Sequence, residues 1–345
     1  MKSIFSFLIV WFLTQDLFAT TAIKQLVSGD DHTCALFVSG KVKCFGANRS
    51  GQLGLGNTSP RGTSNGDMGD NLPFVDLGSG LEVVDISAGS GFTCAVFSNG
   101  RMKCWGDNTI GQLGLGDQKS RGLKPGEMGN ALPYVDLGSN SKIKNIDIGI
   151  HHSCALFENG RMKCWGSNQY GQLGLGDRVR RGAEPGAMGD NLPFVDLGTN
   201  DRIQKIDIGL LSTCALFETG KIKCFGLNET GQLGLGNADH RGENPEQMGT
   251  NLPYVDLGQN IFVKSLALGF QHSCALTSTM NVKCWGDNVY GELGLEDTTQ
   301  RGKSSQAMGD NLPFVNLGFD QKVIEIKSYY RSTCALFVNN HCCPV

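Results

Sequence analysis

The 345-residue chain has no excess of charge of either sign: 30 Lys and Arg stand against 33 Asp and Glu, for a net charge of −3. That removes the basic footprint expected of a nucleic-acid binder, and no charged tail restores it locally. No run reaches the roughly twenty apolar residues that a membrane-spanning helix requires. Sustained helical periodicity is missing too, which argues against an α or α/β fold. The cysteines include no C-x2-4-C knuckle of the kind that holds zinc. No Ser/His/Asp, Cys/His or paired-carboxylate set stands apart from the background, so the sequence gives an enzyme nothing to work with.

What is present is repetition. Residues 143–198 recur along the chain, marked by Cys34, Cys94, Cys154, Cys214, Cys274 and Cys334, each sixty residues from the next without insertion. A spacing that regular gives every copy one backbone path. Glycine, 48 of 345 residues, is about twice its usual share. The glycines hold fixed places in each copy and mark turns.

Residues 1–22 stand apart: Lys2, an apolar block from Ile4 to Leu13, then small residues at Ala19 and Ala22. This is the pattern of a secretory signal peptide, with cleavage after Ala19 or Ala22. It predicts a secreted, periplasmic or cell-surface protein whose mature part, residues 23–345, is a single domain without a membrane span. Ten of the thirteen cysteines form C-x9-C pairs: Cys34 with Cys44, Cys94 with Cys104, Cys154 with Cys164, Cys214 with Cys224, and Cys274 with Cys284. In an exported chain such pairs are read as disulfides; buried thiols are the alternative.

Each copy opens on an alternating segment such as Ile146 and Ile148 against Asn145 and Asp147, the mark of a strand with one buried face. A second strand follows, such as Ser153–Phe157, and then a turn with glycine third (Gly40, Gly100, Gly160, Gly220), which suits a three-residue hairpin loop with a bulge. That register sets Cys154 opposite Cys164 and Leu156 opposite Met162. Ala155, Phe157, Arg161 and Lys163 share the other face. A polar loop leads to a last short strand such as Phe194–Leu197. The units are therefore all-β, and each needs a neighbour to cover its small sheet.

The run His152–Asp177, H-S-C-A-L-F-E-N-G-R-M-K-C-W-G-S-N-Q-Y-G-Q-L-G-L-G-D, resembles the repeat of the regulator of chromosome condensation family and its α-tubulin suppressor-like members. The resemblance implies a β-propeller, usually of seven four-stranded blades. Here five complete cycles are flanked by partial segments, which fits a six-bladed or an incompletely closed ring. The last copy ends in a stub, Val338–Val345, that supplies at most one strand.

Several repeated residues invite a chemical reading. G-Q-L-G-L-G belongs to no complete G-x-x-x-x-G-K-[S/T] phosphate loop and precedes no helix, so packing turns are expected, and no cofactor. Arg61, Arg121, Arg181, Arg241 and Arg301 suggest a structural contact to a neighbouring copy's aspartate, Asp76 or its equivalents. His32, His152 and His272 fit strand packing better than a metal site. The pairs Lys41 and Lys43, Arg101 and Lys103, Arg161 and Lys163, and Lys221 and Lys223 read as a solvated face or a basic belt. Asn48, Asn57 and Asn228 match the glycosylation acceptor pattern.

Function is expected where the copies disagree, in the turn before the second strand. Phe92, Ile150, Leu210, Leu211, Phe270, Tyr329, Tyr330 and Arg331 are the candidate partner-binding residues. Varied aromatic residues on a fixed scaffold suit recognition of a protein partner. The expectation is a non-catalytic interaction scaffold; guanine-nucleotide exchange on a small GTPase, implied by the resemblance, is the alternative.

Overall fold

The computed structural model describes residues 22–139, 142–318, 322–338 and 342–344. All of the expected leader except Ala22 lies outside them. The described strands form six antiparallel three-stranded sheets, one per repeat, in sequence order. Sheet one is β1 (Ile23–Ser28), β2 (His32–Phe37) and β3 (Val42–Gly46); sheet two is β4 (Val83–Ala88), β5 (Phe92–Phe97) and β6 (Met102–Gly106). Sheet three is β7 (Ile143–Ile148), β8 (His152–Phe157) and β9 (Met162–Gly166); sheet four is β10 (Ile203–Ile208), β11 (Ser212–Phe217) and β12 (Ile222–Gly226). Sheet five is β13 (Val263–Leu268), β14 (His272–Thr277) and β15 (Val282–Gly286); sheet six is β16 (Val323–Tyr329), β17 (Ser332–Phe337) and β18 (Cys342–Pro344). The chain divides into two compact units, one holding sheets one and two with residues 119–135, the other holding the remaining four with residues 110–118.

The hairpin register follows the sequence pattern. Cys154 pairs with Cys164, Leu156 with Met162 and Ala155 with Lys163. Gly160 closes the turn at φ 78°, its N–H bonded to Phe157 O at 2.9 Å. The same register sets Cys34 opposite Cys44, Cys94 opposite Cys104, Cys214 opposite Cys224 and Cys274 opposite Cys284. All five pairs lie at disulfide distance, which replaces the alternative of separate buried thiols. The S–S separation is 2.07 Å for Cys34 and Cys44, and 2.06 Å for Cys94 and Cys104. It is 2.06 Å for Cys154 and Cys164, 2.06 Å for Cys214 and Cys224, and 2.12 Å for Cys274 and Cys284. All ten sulfur-bearing residues are fully buried. The stub supplies a short third strand of three residues: Leu336 pairs with Cys342, Ala335 with Cys343, and Pro344 takes the place opposite Cys334.

The expected last strand, Phe194–Leu197, is instead an extended segment held to β9 by one bond, Val195 N–H to Met162 O (3.0 Å). The loop before it is fixed from within. Asn168, fully buried, donates through Nδ2 to Asp177 O (2.7 Å) and Val179 O (3.3 Å) and accepts the Leu173 N–H (3.0 Å). Asn48 and Asn228 are buried in the same clasp, which leaves their amides engaged and closed to glycosylation. The repeated arginine differs from expectation as well. Arg181 forms a backbone bridge with Gly166 and an ion pair with Asp177 of its own repeat at 2.6 Å. Arg301 does the same with Asp297 at 2.7 Å. The neighbour's aspartate lies elsewhere: Asp136 O accepts the Gly189 N–H at 3.0 Å.

Each sheet is apolar on both faces, and within each unit successive sheets cover one another. In the second unit, Cys154, Leu156, Met162 and Cys164 of sheet three pack through Leu173, Val195 and Leu197 onto Ala215, Phe217 and Phe225 of sheet four. Full burial of a Leu or Phe side chain contributes about 1.5–3 kcal/mol, so the stacking supplies what one sheet lacks. The same scheme joins sheets one and two, four and five, and five and six.

The lysines overturn the solvated-belt reading. Lys103, Lys163, Lys223 and Lys283 are each at most 3% exposed. Lys163 Nζ donates to Leu137 O (2.8 Å) and Gly189 O (2.9 Å), carbonyls from two consecutive repeats, and lies 4.8 Å from the centre of the Phe194 ring. Lys103 and Lys283 repeat the arrangement. Burial lowers the pKa of all four, partly offset by nearby aspartates. Arg101 and Arg161, which remain exposed, stack on the other side of the joint over Tyr134 and Phe194.

In the fifth repeat Met280 replaces the hairpin glycine and is held at φ 64°, a conformation that costs an L-residue about 1 kcal/mol. Met280→Gly is expected to raise unfolding stability by about 1 kcal/mol, measured by guanidinium titration; an unchanged or lower midpoint contradicts the strained turn.

Candidate partner-binding face

The turns between the first and second strands form a row within each unit. Gly149, Gly209 and Gly269 each begin such a turn, with the N–H bonded to the carbonyl three residues on. A side chain at Gly149 would meet Gly209 O, and one at Gly209 would meet Gly269 O, each at 2.8 Å. Glycine here lets consecutive turns pack side by side, so their variable residues share one end of the unit.

The candidate residues do not all reach this surface. Phe92 is fully buried as the first residue of β5, where it holds the place of His32 in the core. Ile150, Leu210 and Leu211 are half-buried in their turns. Tyr329 is the last residue of β16. Phe270, Tyr330 and Arg331 come together: the Phe270 and Tyr330 rings are 4.9 Å apart, and Phe270 N–H donates to Tyr330 O at 2.6 Å. Tyr330 is 54% exposed and stands at φ 51°, because Tyr329 replaces the turn glycine and shortens the sixth turn to two residues.

Tyr290, which the sequence reading did not select, completes the cluster at 77% exposure. The Arg331 guanidinium lies 5.0 Å from the Tyr290 ring centre and 5.4 Å from that of Phe270. Beneath it, Arg331 Nη1 is 3.6 Å from Glu292 and 3.9 Å from Asp287, both almost wholly buried. Glu292 stands where the other repeats have Gln52, Gln112, Gln172 and Gln232, and it keeps their bond by accepting the Tyr290 N–H (2.8 Å). The two departures, Glu292 and Arg331, are complementary charges on adjoining repeats, and that complementarity was the available signal. The result is an aromatic surface around a guanidinium that lies over a buried carboxylate pair.

The histidines serve packing. His32 Nε2 is 2.8 Å from Thr93 Oγ1, whose proton goes to Gln52 O (3.0 Å). Nε2 must therefore be the protonated nitrogen. Gln52 O also receives the Trp105 indole N–H at 3.0 Å. His152–Thr213 and His272–Thr333 repeat the contact at 3.0 and 2.8 Å. Nδ1 of His32 and His152 is buried without a hydrogen-bond partner. Burial pushes the pKa down to about 4 for His32 and His272 and about 3 for His152. Among the described residues, no group of three or more His, Cys, Asp or Glu is placed to hold a metal ion.

Asp147 takes the opposite shift. It accepts N–H bonds from Ile148 (3.0 Å) and Ile208 (2.7 Å), joining β7 to β10. Burial, then the charge of Asp207, raises its pKa to about 7.

The model of the regulator of chromosome condensation (RCC1) repeat matches residues 39–96, 99–156 and 159–216, and a second model of that repeat matches 23–52, 83–112, 143–172 and 263–292. The Arabidopsis thaliana ultraviolet-B receptor UVR8 is 29% identical over 323 residues, 92% of this chain and 64% of its own length. The human probable E3 ubiquitin-protein ligase HERC6 is 29% identical over 279 residues, 81% of this chain and 25% of its own. The chain thus spans less than two thirds of these relatives. Yeast RCC1 (Prp20), solved bound to Kap60, superposes with a TM-score of 0.67 at 23% identity, covering 93% of this chain and 69% of that one. Human WBSCR16 gives a TM-score of 0.67 at 17% identity over 91% of this chain and 72% of the other. The fold is that of these β-propellers.

The neutral histidines generate a pH prediction. An unfolded histidine protonates near pH 6.5, whereas these remain neutral to about pH 4, so stability falls as pH drops through that window. Each costs about 2 kcal/mol at pH 5. Asp147 has the opposite sign, its contribution fading as pH rises from about 4 to 7, so the histidine effect is read by difference. The variant H32Q/H152Q/H272Q should lose far less melting temperature between pH 7 and pH 5 than the parent; equal losses contradict buried neutral histidines.

Proposed function

Because the chain belongs to the regulator of chromosome condensation (RCC1) repeat family, we propose that it is a non-catalytic protein-interaction scaffold, exported by residues 1–22 and acting outside the cytosol. The observation that carries the reading is the cluster of Phe270, Tyr290, Tyr330 and Arg331. Recognition surfaces concentrate their affinity in a few aromatic and arginine residues whose geometry is fixed in advance. Tyr290 and Tyr330 are exposed apolar area, and Arg331 is ion-paired with Glu292 and Asp287 beneath them. A partner segment with an apolar side chain for the rings and a carbonyl or carboxylate for the guanidinium edge matches this chemistry.

Five cysteine pairs at disulfide distance support an oxidising compartment. Among the described residues no helix is long and apolar enough to cross a membrane. Guanine-nucleotide exchange is the weaker reading, since a small GTPase is a cytosolic or nuclear partner.

Photo-crosslinking capture from the native extracellular milieu tests the proposal. Against the parent, the variant Y290A/Y330G/R331A should lose at least tenfold of the captured partner, given about 2 kcal/mol for each hot-spot residue. A control, Tyr330→Gly alone, removes one ring and relieves the left-handed strain, so it should weaken capture without loss of melting temperature. Capture undiminished by the triple substitution would sink the assignment.

A further inference from the structure

A second surface, in the first unit, lacks among the described residues what covers its equivalents. The face of sheet one that carries Ala35, Phe37, Lys43 and Phe45 borders a cleft of about 730 Å3, with Ile23 and Met68 on its rim. The matching face of sheet two, Ala95, Phe97 and Trp105, is buried beneath Leu53, Val75 and Leu77 of the first repeat. Met68 is 41% exposed, whereas Met128, Met188, Met248 and Met308 are at most 9% exposed.

The polar groups of this face show what belongs there. In later repeats an extended Val-Asp-Leu-Gly segment of the preceding repeat crosses the face. Its aspartate carbonyl accepts a glycine N–H: Gly129 to Asp76 and Gly189 to Asp136 at 3.0 Å, Gly249 to Asp196 at 3.2 Å, Gly309 to Asp256 at 3.1 Å. Its leucine carbonyl accepts the buried lysine: Lys103 to Leu77 (2.9 Å), Lys163 to Leu137 (2.8 Å), Lys223 to Leu197 (2.7 Å), Lys283 to Leu257 (2.6 Å). The aspartate carboxylate lies against the same glycine, 2.6 Å from where a Cβ would stand at Gly129 and 2.8 Å at Gly189. In the first repeat Lys43 makes the companion bond, to Gly69 O at 2.8 Å. Among the described residues no leucine carbonyl takes its other N–H, and a Cβ at Gly69 would meet nothing within 4 Å.

We propose that this open face is a docking groove for an extended segment of a partner protein with the pattern Leu-Pro-(Phe or Tyr)-Val-Asp-Leu-Gly. The aspartate sits over Gly69 beside Lys43, and the following leucine carbonyl receives a second Lys43 N–H. The leucine and valine side chains fill the space between Ala35, Phe45 and Met68. Charge favours this occupant, because the groove offers a half-exposed ammonium and an open glycine N–H toward an acidic, carbonyl-rich strand. The chain itself presents the fit in four of its own repeats. This groove is separate from the Phe270–Arg331 cluster and does not depend on it.

Fluorescence anisotropy with a labelled peptide of residues 132–138, Leu-Pro-Tyr-Val-Asp-Leu-Gly, tests the groove on the exported protein, residues 23–345. Saturable binding is expected, weakened at least tenfold when the peptide's aspartate is changed to lysine. The same loss is expected from Met68→Arg, an exposed position whose variant should keep the parent's melting temperature, and from Lys43→Met. No saturable binding, or binding indifferent to these changes, overturns the proposal. One other occupant would also overturn it. Concentration-dependent self-association in velocity sedimentation, abolished by Met68→Arg, gives the groove to a second copy.

Discussion

A three-stranded sheet with apolar side chains on both faces cannot stand alone in water, and this constraint governs the chain. Each of the first five repeats closes one face with a cystine and long aliphatic residues, and offers Ala and an aromatic ring on the other, joined by a Phe in the first four and by Thr277 in the fifth. Stacking joins unlike faces, so one interface design serves repeatedly at a constant sixty-residue spacing. The buried lysines make the joint polar as well as apolar. An ammonium that leaves water must find acceptors, and Lys163 finds carbonyls from two repeats at once. The joint is thus specified in direction as well as in composition.

Much of this was legible in the sequence because strand alternation and the glycine turn fix the register. Cys154 opposite Cys164 and Ala155 opposite Lys163 follow from the turn alone. The same turn sets the register of Cys44, Cys104 and Cys224 against their partners, and Cys284 keeps it even though Met280 stands in for the glycine. What lay beyond reach depended on neighbours distant in sequence. Lys163 alternates as a solvent-facing residue would; only the convergence of Leu137 O and Gly189 O makes its burial tolerable. Arg181 was assigned to the wrong aspartate because its bridge to Gly166 turns the side chain back toward Asp177. Phe92 occupies a repeat position that is core in the stacked repeats, whether filled by Phe, His or Ser, so its departure from the pattern marked packing. Tyr290 was passed over because it lies inside the most faithful motif.

The candidate site arises where the repeat loses its regularity. Tyr329 replaces a glycine, the turn shortens, and Tyr330 is forced into the left-handed region with its ring against Phe270. Glu292 and Arg331 exchange a neutral contact for a charged one. A surface that binds can vary in this way because the joints beneath it do not.

The central claim is that each of five repeats is locked by its own cystine inside a stacked interface. Mass spectrometry after alkylation in guanidinium, without reductant, tests it most directly, since denaturation exposes every thiol that is not bonded. The protein isolated from its oxidising compartment should take up at most three alkyl groups, on Cys334, Cys342 and Cys343, and all thirteen after reduction. More than three alkyl groups before reduction would contradict the account.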